Sequence, residues 1–128
     1  MIKIFRKTIE GQKRGRRIGF PTLNFNLKKG DKIKRGVWLV KLKAEGKSYF
    51  GAANVGRAKT FGDKEEKIEV HLFTKPAGDI KKTEIYFLKR LRATKKFKTI
   101  EELKKQMKKD TKKARHFLMS VKDIGRRT

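Results

Sequence analysis

The chain has 128 residues, no cysteine, and 38 Lys and Arg against 13 Asp and Glu, a formal charge of +25. That length holds one ordinary hydrophobic core and not two, and the missing thiols exclude a disulfide framework, a thiolate metal site and a cysteine nucleophile. The charge favours a polyanionic partner, nucleic acid first and an acidic membrane surface second, while nine Phe, one Trp and periodic aliphatic runs separate the chain from a disordered polycation.

MIKIFRKTIE begins with Ile2 and Ile4 between basic neighbours, then Ile9, a weak first strand over 2–9. It lacks an apolar stretch of signal-peptide length, and no later run approaches the ~20 apolar residues of a bilayer span. A cytoplasmic protein without membrane association is therefore expected. Gly11 and Gly15 open a loop within GQKRGRRIGFPTLNF (11–25). Pro21 removes a backbone donor and biases Phe20 toward extended angles, so 20–27 reads as a strand on which Thr22 and Asn24 point the same way.

GVWLVKLKA (36–44) is the clearest strand, with Trp38, Val40 and Leu42 on one face and Val37, Leu39, Lys41 and Lys43 on the other. EGK turns it into SYFGAANVG (48–56). KIEVHLF (67–73) places Ile68, Val70 and Leu72 on one face and Glu69, His71 and Phe73 on the opposite one. EIYFLKRLR (84–92) alternates again. A helix over 99–121 follows, with Thr99 as N-cap and Glu102 three residues later in a capping box. Its apolar stripe is Ile100, Leu103, Met107, Ala114, Phe117 or Leu118, and Val121, and Asp110 falls on it. The tail 124–128 is expected to fray. Short strands with turn signals between them, then one long helix, imply a mainly-β fold: a small antiparallel barrel over about 1–95 with a helix packed on it, in one domain spanning 1–128.

The sequence GKS at 46–48 imitates the end of a Walker A loop, but that loop needs a glycine where Lys41 stands and a helix where a strand follows. Gly46 is a hairpin glycine. The 11–25 stretch fits a chemical task better. Glycines at 11, 15 and 19 let backbone N–H groups approach phosphate oxygens, Arg16 and Arg17 neutralise charge, and Thr22 with Asn24 can hold a hard cation such as Mg²⁺. The plainer alternative is a basic turn before an edge strand. Glu69 is either an exposed strand carboxylate or a general base, and His71 reads first as a structural histidine. Asp110 is a loop cap, a cation ligand or a polar insertion. LRATKKFKT (91–99) suits stacking of a base or flavin ring, or simply a loop with a core Phe97.

These pieces together resemble the riboflavin kinase family. GxxxGRxxGFPTxN is the specific part; NVG (54–56) with Thr60 and Phe61, EVHLF (69–73), LR(x)4KF and a helix carrying Leu103, Gln106, Asp110 and Arg115 support it over about 5–118. The resemblance implies a six-stranded antiparallel Greek-key barrel with a C-terminal helix, and ATP-dependent, Mg²⁺-assisted phosphorylation of riboflavin to FMN. Carried over by position, Gly11, Gly15, Arg16 and Gly19 cover the nucleotide phosphates with Asn54 nearby, Thr22 and Asn24 hold the metal, Glu69 is the general base, and Arg92 with Phe97 belongs to the region closing over flavin.

Two segments depart from the family pattern. Lys59 stands where a proline is usual, and DIKKT (79–83) lacks the usual aromatic residue. Bacterial members commonly carry an N-terminal adenylyltransferase domain, which these residues do not contain, so FAD synthesis is not expected. The donor among ATP, CTP and GTP is left open, a monomer is expected, and a basic nucleic-acid-binding barrel is the alternative function.

Overall fold

The apolar–polar alternation produces six strands, β1 (Ile2–Lys7), β2 (Thr22–Asn26), β3 (Gly36–Ala44), β4 (Lys47–Gly56), β5 (Lys67–Leu72) and β6 (Lys82–Arg92), followed by helix α1 (Ile100–Arg127). The computed structural model describes residues 1–10 and 19–127. All strand pairs are antiparallel, in the order β1-β6-β3-β4-β5-β2. The β3–β4 hairpin closes through Glu45 and Gly46, both at positive φ (51° and 76°), the left-handed pair that a two-residue turn needs to match strand twist.

Both faces of β3 are used. Val40 and Leu42 face a core with Phe25, Ile68, Val70, Leu72 and Ile85, whereas Val37 and Leu39 join Ala52, Leu91 and Ala114 on the other face, with Phe117 and Leu118 of α1 packed against them. α1 thus lies over the outer face of the sheet, held by its apolar stripe. Its N-terminus is capped as the Thr99/Glu102 spacing predicts. The Glu102 N–H donates to Thr99 Oγ1 (3.2 Å), while the Glu102 carboxylate accepts from the Lys98 N–H rather than from Thr99.

The expected closed barrel is not formed: the sheet is an open half-barrel. β2 is only five residues long, and the chain leaves it for a 3-10 turn at Lys29–Asp31 before it can run along β1. Among the described residues one bridge, Ile9 to Asn24, joins the two edges. Near this gap Arg6 of β1 is ion-paired with Asp31, both side chains being largely buried. The helix is also longer than expected, continuing past 121 to Arg127, because no proline interrupts that segment. Among the described residues, no helix is long and apolar enough to cross a membrane.

Gly51 marks the tightest strand approach near β5. A Cβ there would lie 2.6 Å from His71 O and 3.0 Å from Val70 Cγ1, so β4 and β5 would have to separate. Gly51→Ala is expected to lower stability by roughly 1–3 kcal/mol, read as a reduced urea midpoint. An unchanged midpoint would contradict the close approach.

Candidate functional site

Three neighbouring strands build one polar face. β5 buries Ile68, Val70 and Leu72 in the core, so Glu69 and His71 must point to the opposite side. The register sets Asn24 of β2 and Asn54 of β4 on either side of Glu69, and Thr22 and Ala52 on either side of His71. Directly opposed residues share a face with Cβ atoms ~4.5–5.5 Å apart. Two adjacent rows result, Asn24–Glu69–Asn54 and Thr22–His71–Ala52.

This face is polar yet enclosed. Asn24 and Glu69 are each only 4% exposed. His71 Nε2 lies 3.2 Å from Glu69 Oε1, His71 Nδ1 lies 3.3 Å from Thr22 Oγ1, and Lys67 Nζ is 3.9 Å from Glu69 Oε2. Lys67 also stands 3.7 Å from Asp63. Asn24 Oδ1 is buried without a hydrogen-bond partner among the described residues. An orphan acceptor of this kind costs about 1–3 kcal/mol, and it sits beside a carboxylate and a hydroxyl.

Glu69, His71 and Asn54 line a cleft of about 60 Å³ between the sheet and α1, together with Arg92, Met107 and Asp110. Asp110 is neither a loop cap nor an exposed insertion. The Arg92 Nε–H approaches both carboxylate oxygens (3.0 and 3.1 Å), Nη2 donates to Oδ2 (2.9 Å), and Gln106 Nε2 donates to Oδ1 (3.0 Å). Arg92 also lies over the Phe97 ring, 5.7 Å from its centroid, and the Phe97 N–H donates to Thr60 Oγ1 (3.1 Å). The segment between β6 and α1 is therefore tied down at both ends. Asn54 Nδ2 donates to Arg57 O (3.3 Å).

Thr22, Asn24, Asn54, Glu69 and Arg92 are thus gathered on one side of the sheet. Phe97 is buried behind Arg92 and does not line the cleft. Gly19 adopts the left-handed region at φ 81° with open space around it, in a separate depression with Pro21, Lys75 and Asp79. Gly11, Gly15 and Arg16 lie outside the described residues. One participant, Lys67, is not singled out in the sequence. Lys67 shares the strand face of Glu69 two residues away, a period-two signal that was available; His71 was read as structural, and its contact with Thr22 spans 49 residues of sequence. Among the described residues there is no cluster of three or more His, Cys, Asp or Glu suited to a metal.

Several known proteins are similar to this chain over most of its length. The family model for flavokinase, riboflavin kinase, matches residues 1–118. The bifunctional riboflavin kinase/FMN adenylyltransferase of Haemophilus influenzae is 35% identical over 120 residues, covering 92% of this chain and 39% of that protein. The Bacillus subtilis protein of the same description is 38% identical over 121 residues, covering 89% and 38%. The chain therefore spans less than two-fifths of these curated relatives. A crystal structure of a Streptococcus pneumoniae protein described as a macrolide-efflux protein superposes with a TM-score of 0.75 at 31% identity, covering 88% of this chain and 38% of that one. The riboflavin kinase of Trypanosoma brucei shares the fold, with a TM-score of 0.63 at 22% identity over 93% of this chain and 82% of that one.

The Arg92–Asp110 pair makes a distinct prediction about how α1 is held. Asp110→Ala leaves a partly buried guanidinium unpaired and is expected to cost about 3 kcal/mol, measured by urea unfolding. Faster amide exchange is expected at 93–98, whereas unchanged exchange there would mean that the pair does not hold the segment.

Proposed function

The chain belongs to the riboflavin kinase family, and on that premise we propose that it transfers the γ-phosphoryl group of ATP to the 5′-hydroxyl of riboflavin, making FMN with the help of Mg²⁺. The observation that carries the reading is the buried row of Asn24 and Glu69 beside Thr22, with Asn24 Oδ1 left without a hydrogen-bond partner among the described residues. A buried amide oxygen, a hydroxyl and a carboxylate on one face form an all-oxygen set, and hard divalent cations favour such donors together with substrate phosphates.

Thr22 Oγ1 and Asn24 Oδ1 would hold the cation. When bound, it supplies charge neutralisation at the nucleotide phosphates. Glu69 accepts the proton of the ribityl 5′-hydroxyl as that oxygen bonds to phosphorus and the bond from the γ-phosphorus to the β,γ-bridging oxygen breaks, giving FMN and ADP. Contacts with His71 and Lys67 hold its carboxylate in place. Asn54, Gly19 and the glycines and arginine at 11, 15 and 16 serve the nucleotide, and Arg92 and Phe97 serve the flavin side. At about 60 Å³ the cleft is smaller than the ~300 Å³ lower end of small-molecule sites. Flavin binding on this reading displaces the 93–98 segment, which loosens Phe97 from Thr60.

We read the protein as a cytoplasmic monomer. Its excess charge is spread over solvated surface, as at Lys105, Lys108, Lys109 and Lys112 of α1, all exposed, and serves to draw in anionic nucleotide. Incubation with riboflavin, Mg²⁺ and ATP, CTP or GTP is expected to yield FMN with ATP. Glu69→Gln should lower kcat by roughly 100- to 10,000-fold with an unchanged fold by circular dichroism. No FMN from any of the three nucleotides, together with salt-sensitive binding of DNA or RNA, would instead support a nucleic-acid-binding role.

A further inference from the structure

His71 occupies the row next to Asn24–Glu69–Asn54, between Thr22 on β2 and Ala52 on β4. Its side chain is 12% exposed and bridges two groups: Nε2 lies 3.2 Å from Glu69 Oε1 and Nδ1 lies 3.3 Å from Thr22 Oγ1. A neutral imidazole carries one ring proton and an ionised carboxylate can only accept. In a neutral His71 beside a carboxylate at 3.2 Å, the nitrogen facing Glu69 is the one suited to carry the proton. Nδ1 is then an acceptor, and the Thr22 O–H is the group that can donate to it.

The consequence falls on the Thr22 oxygen. With its proton directed at Nδ1, both Oγ1 lone pairs are available to a cation. The opposite tautomer would press two acceptors together at Glu69 and use one of those lone pairs to accept from Nδ1–H. Thr22 Oγ1 also lies 3.3 Å from Phe20 O, but a hydroxyl turned that way would set its lone pairs against the Nδ1 lone pair. Resting on the kinase reading, we propose that His71 is a positioning residue which, as the Nε2–H tautomer, aligns the Glu69 carboxylate and orients the Thr22 hydroxyl so that its lone pairs face a cation. The cation site and the base are thereby joined through one ring, so that a defect at either nitrogen has its own signature.

Two near-isosteric substitutions separate the halves of this bridge. His71→Gln keeps an N–H donor where Nε2 stands and gives up the contact with Thr22. His71→Asn keeps a polar group where Nδ1 stands and gives up the contact with Glu69. The Gln variant is expected to require roughly tenfold more Mg²⁺ for half-maximal FMN formation, with the smaller loss of kcat of the two, and the Asn variant to lose roughly tenfold or more in kcat, with the smaller change in Mg²⁺ requirement. Equal loss in both variants with no change in Mg²⁺ requirement would sink the idea.

A readout that needs no turnover is the long-range ¹⁵N–¹H spectrum of the metal-free parent protein. The chain has two histidines, so His116→Gln assigns the signals. A proton on Nε2 and a bare, hydrogen-bonded Nδ1 are expected; a proton on Nδ1, alone or together with one on Nε2, overturns the proposal, whether or not the variants fold. Failure of the parent protein to make FMN, with the tautomer as expected, would count against the kinase reading and leave the hydrogen-bonded bridge standing.

Discussion

The register between β2 and β5 is the constraint on which the site depends. Because side chains alternate with period two, a one-residue slip of β2 would turn Thr22 and Asn24 toward the core and expel Phe25 from it. The apolar residues make that slip costly, since Phe25, Ile68, Val70 and Leu72 are all fully buried. Backbone bonds pin the strand ends: the Leu72 N–H donates to Pro21 O (2.8 Å) and the Ile9 N–H donates to Asn24 O (2.8 Å). A hydrophobic pattern on one face thereby positions a polar constellation on the other.

That arrangement gives up stability locally. Glu69, Asn24 and His71 are withdrawn from water in a region also packed by Ala52 and Met107, and an unpaired buried acceptor is disfavoured. The surrounding core offsets this. Such a group is understandable where a ligand completes its bonding, as the proposed cation would at Asn24 Oδ1. Arg92 and Asp110 illustrate a different solution on the opposite wall of the cleft, where charge is matched within the chain and α1 is fastened to β6. On the proposed function one wall meets a ligand, while the other holds the fold together.

Local signals made much of this legible. Alternation in GVWLVKLKA delimits β3 residue for residue, the faces of Glu69 and Ile68 follow from KIEVHLF, and Thr99 with Glu102 marks the start of α1. The remainder depended on distant partners. Nothing near Asp110 identifies Arg92, 18 residues away, as its counter-ion, and nothing near Thr22 announces His71. The opening between β1 and β2 was missed for a related reason: strand count suggests a barrel, but closure depends on how far β2 runs alongside β1, and the turn after Asn26 ends it early.

The central claim is that the Thr22–Asn24–Glu69 face, rather than the lysine-rich helix, receives metal and nucleotide phosphate. The most direct measurement is paramagnetic broadening of assigned amide resonances by Mn²⁺ with a non-hydrolysable ATP analogue. Broadening centred on 22–24 and 69–71 is the predicted result. Broadening centred instead on 104–113 of α1, with 22–24 and 69–71 unaffected, would contradict it.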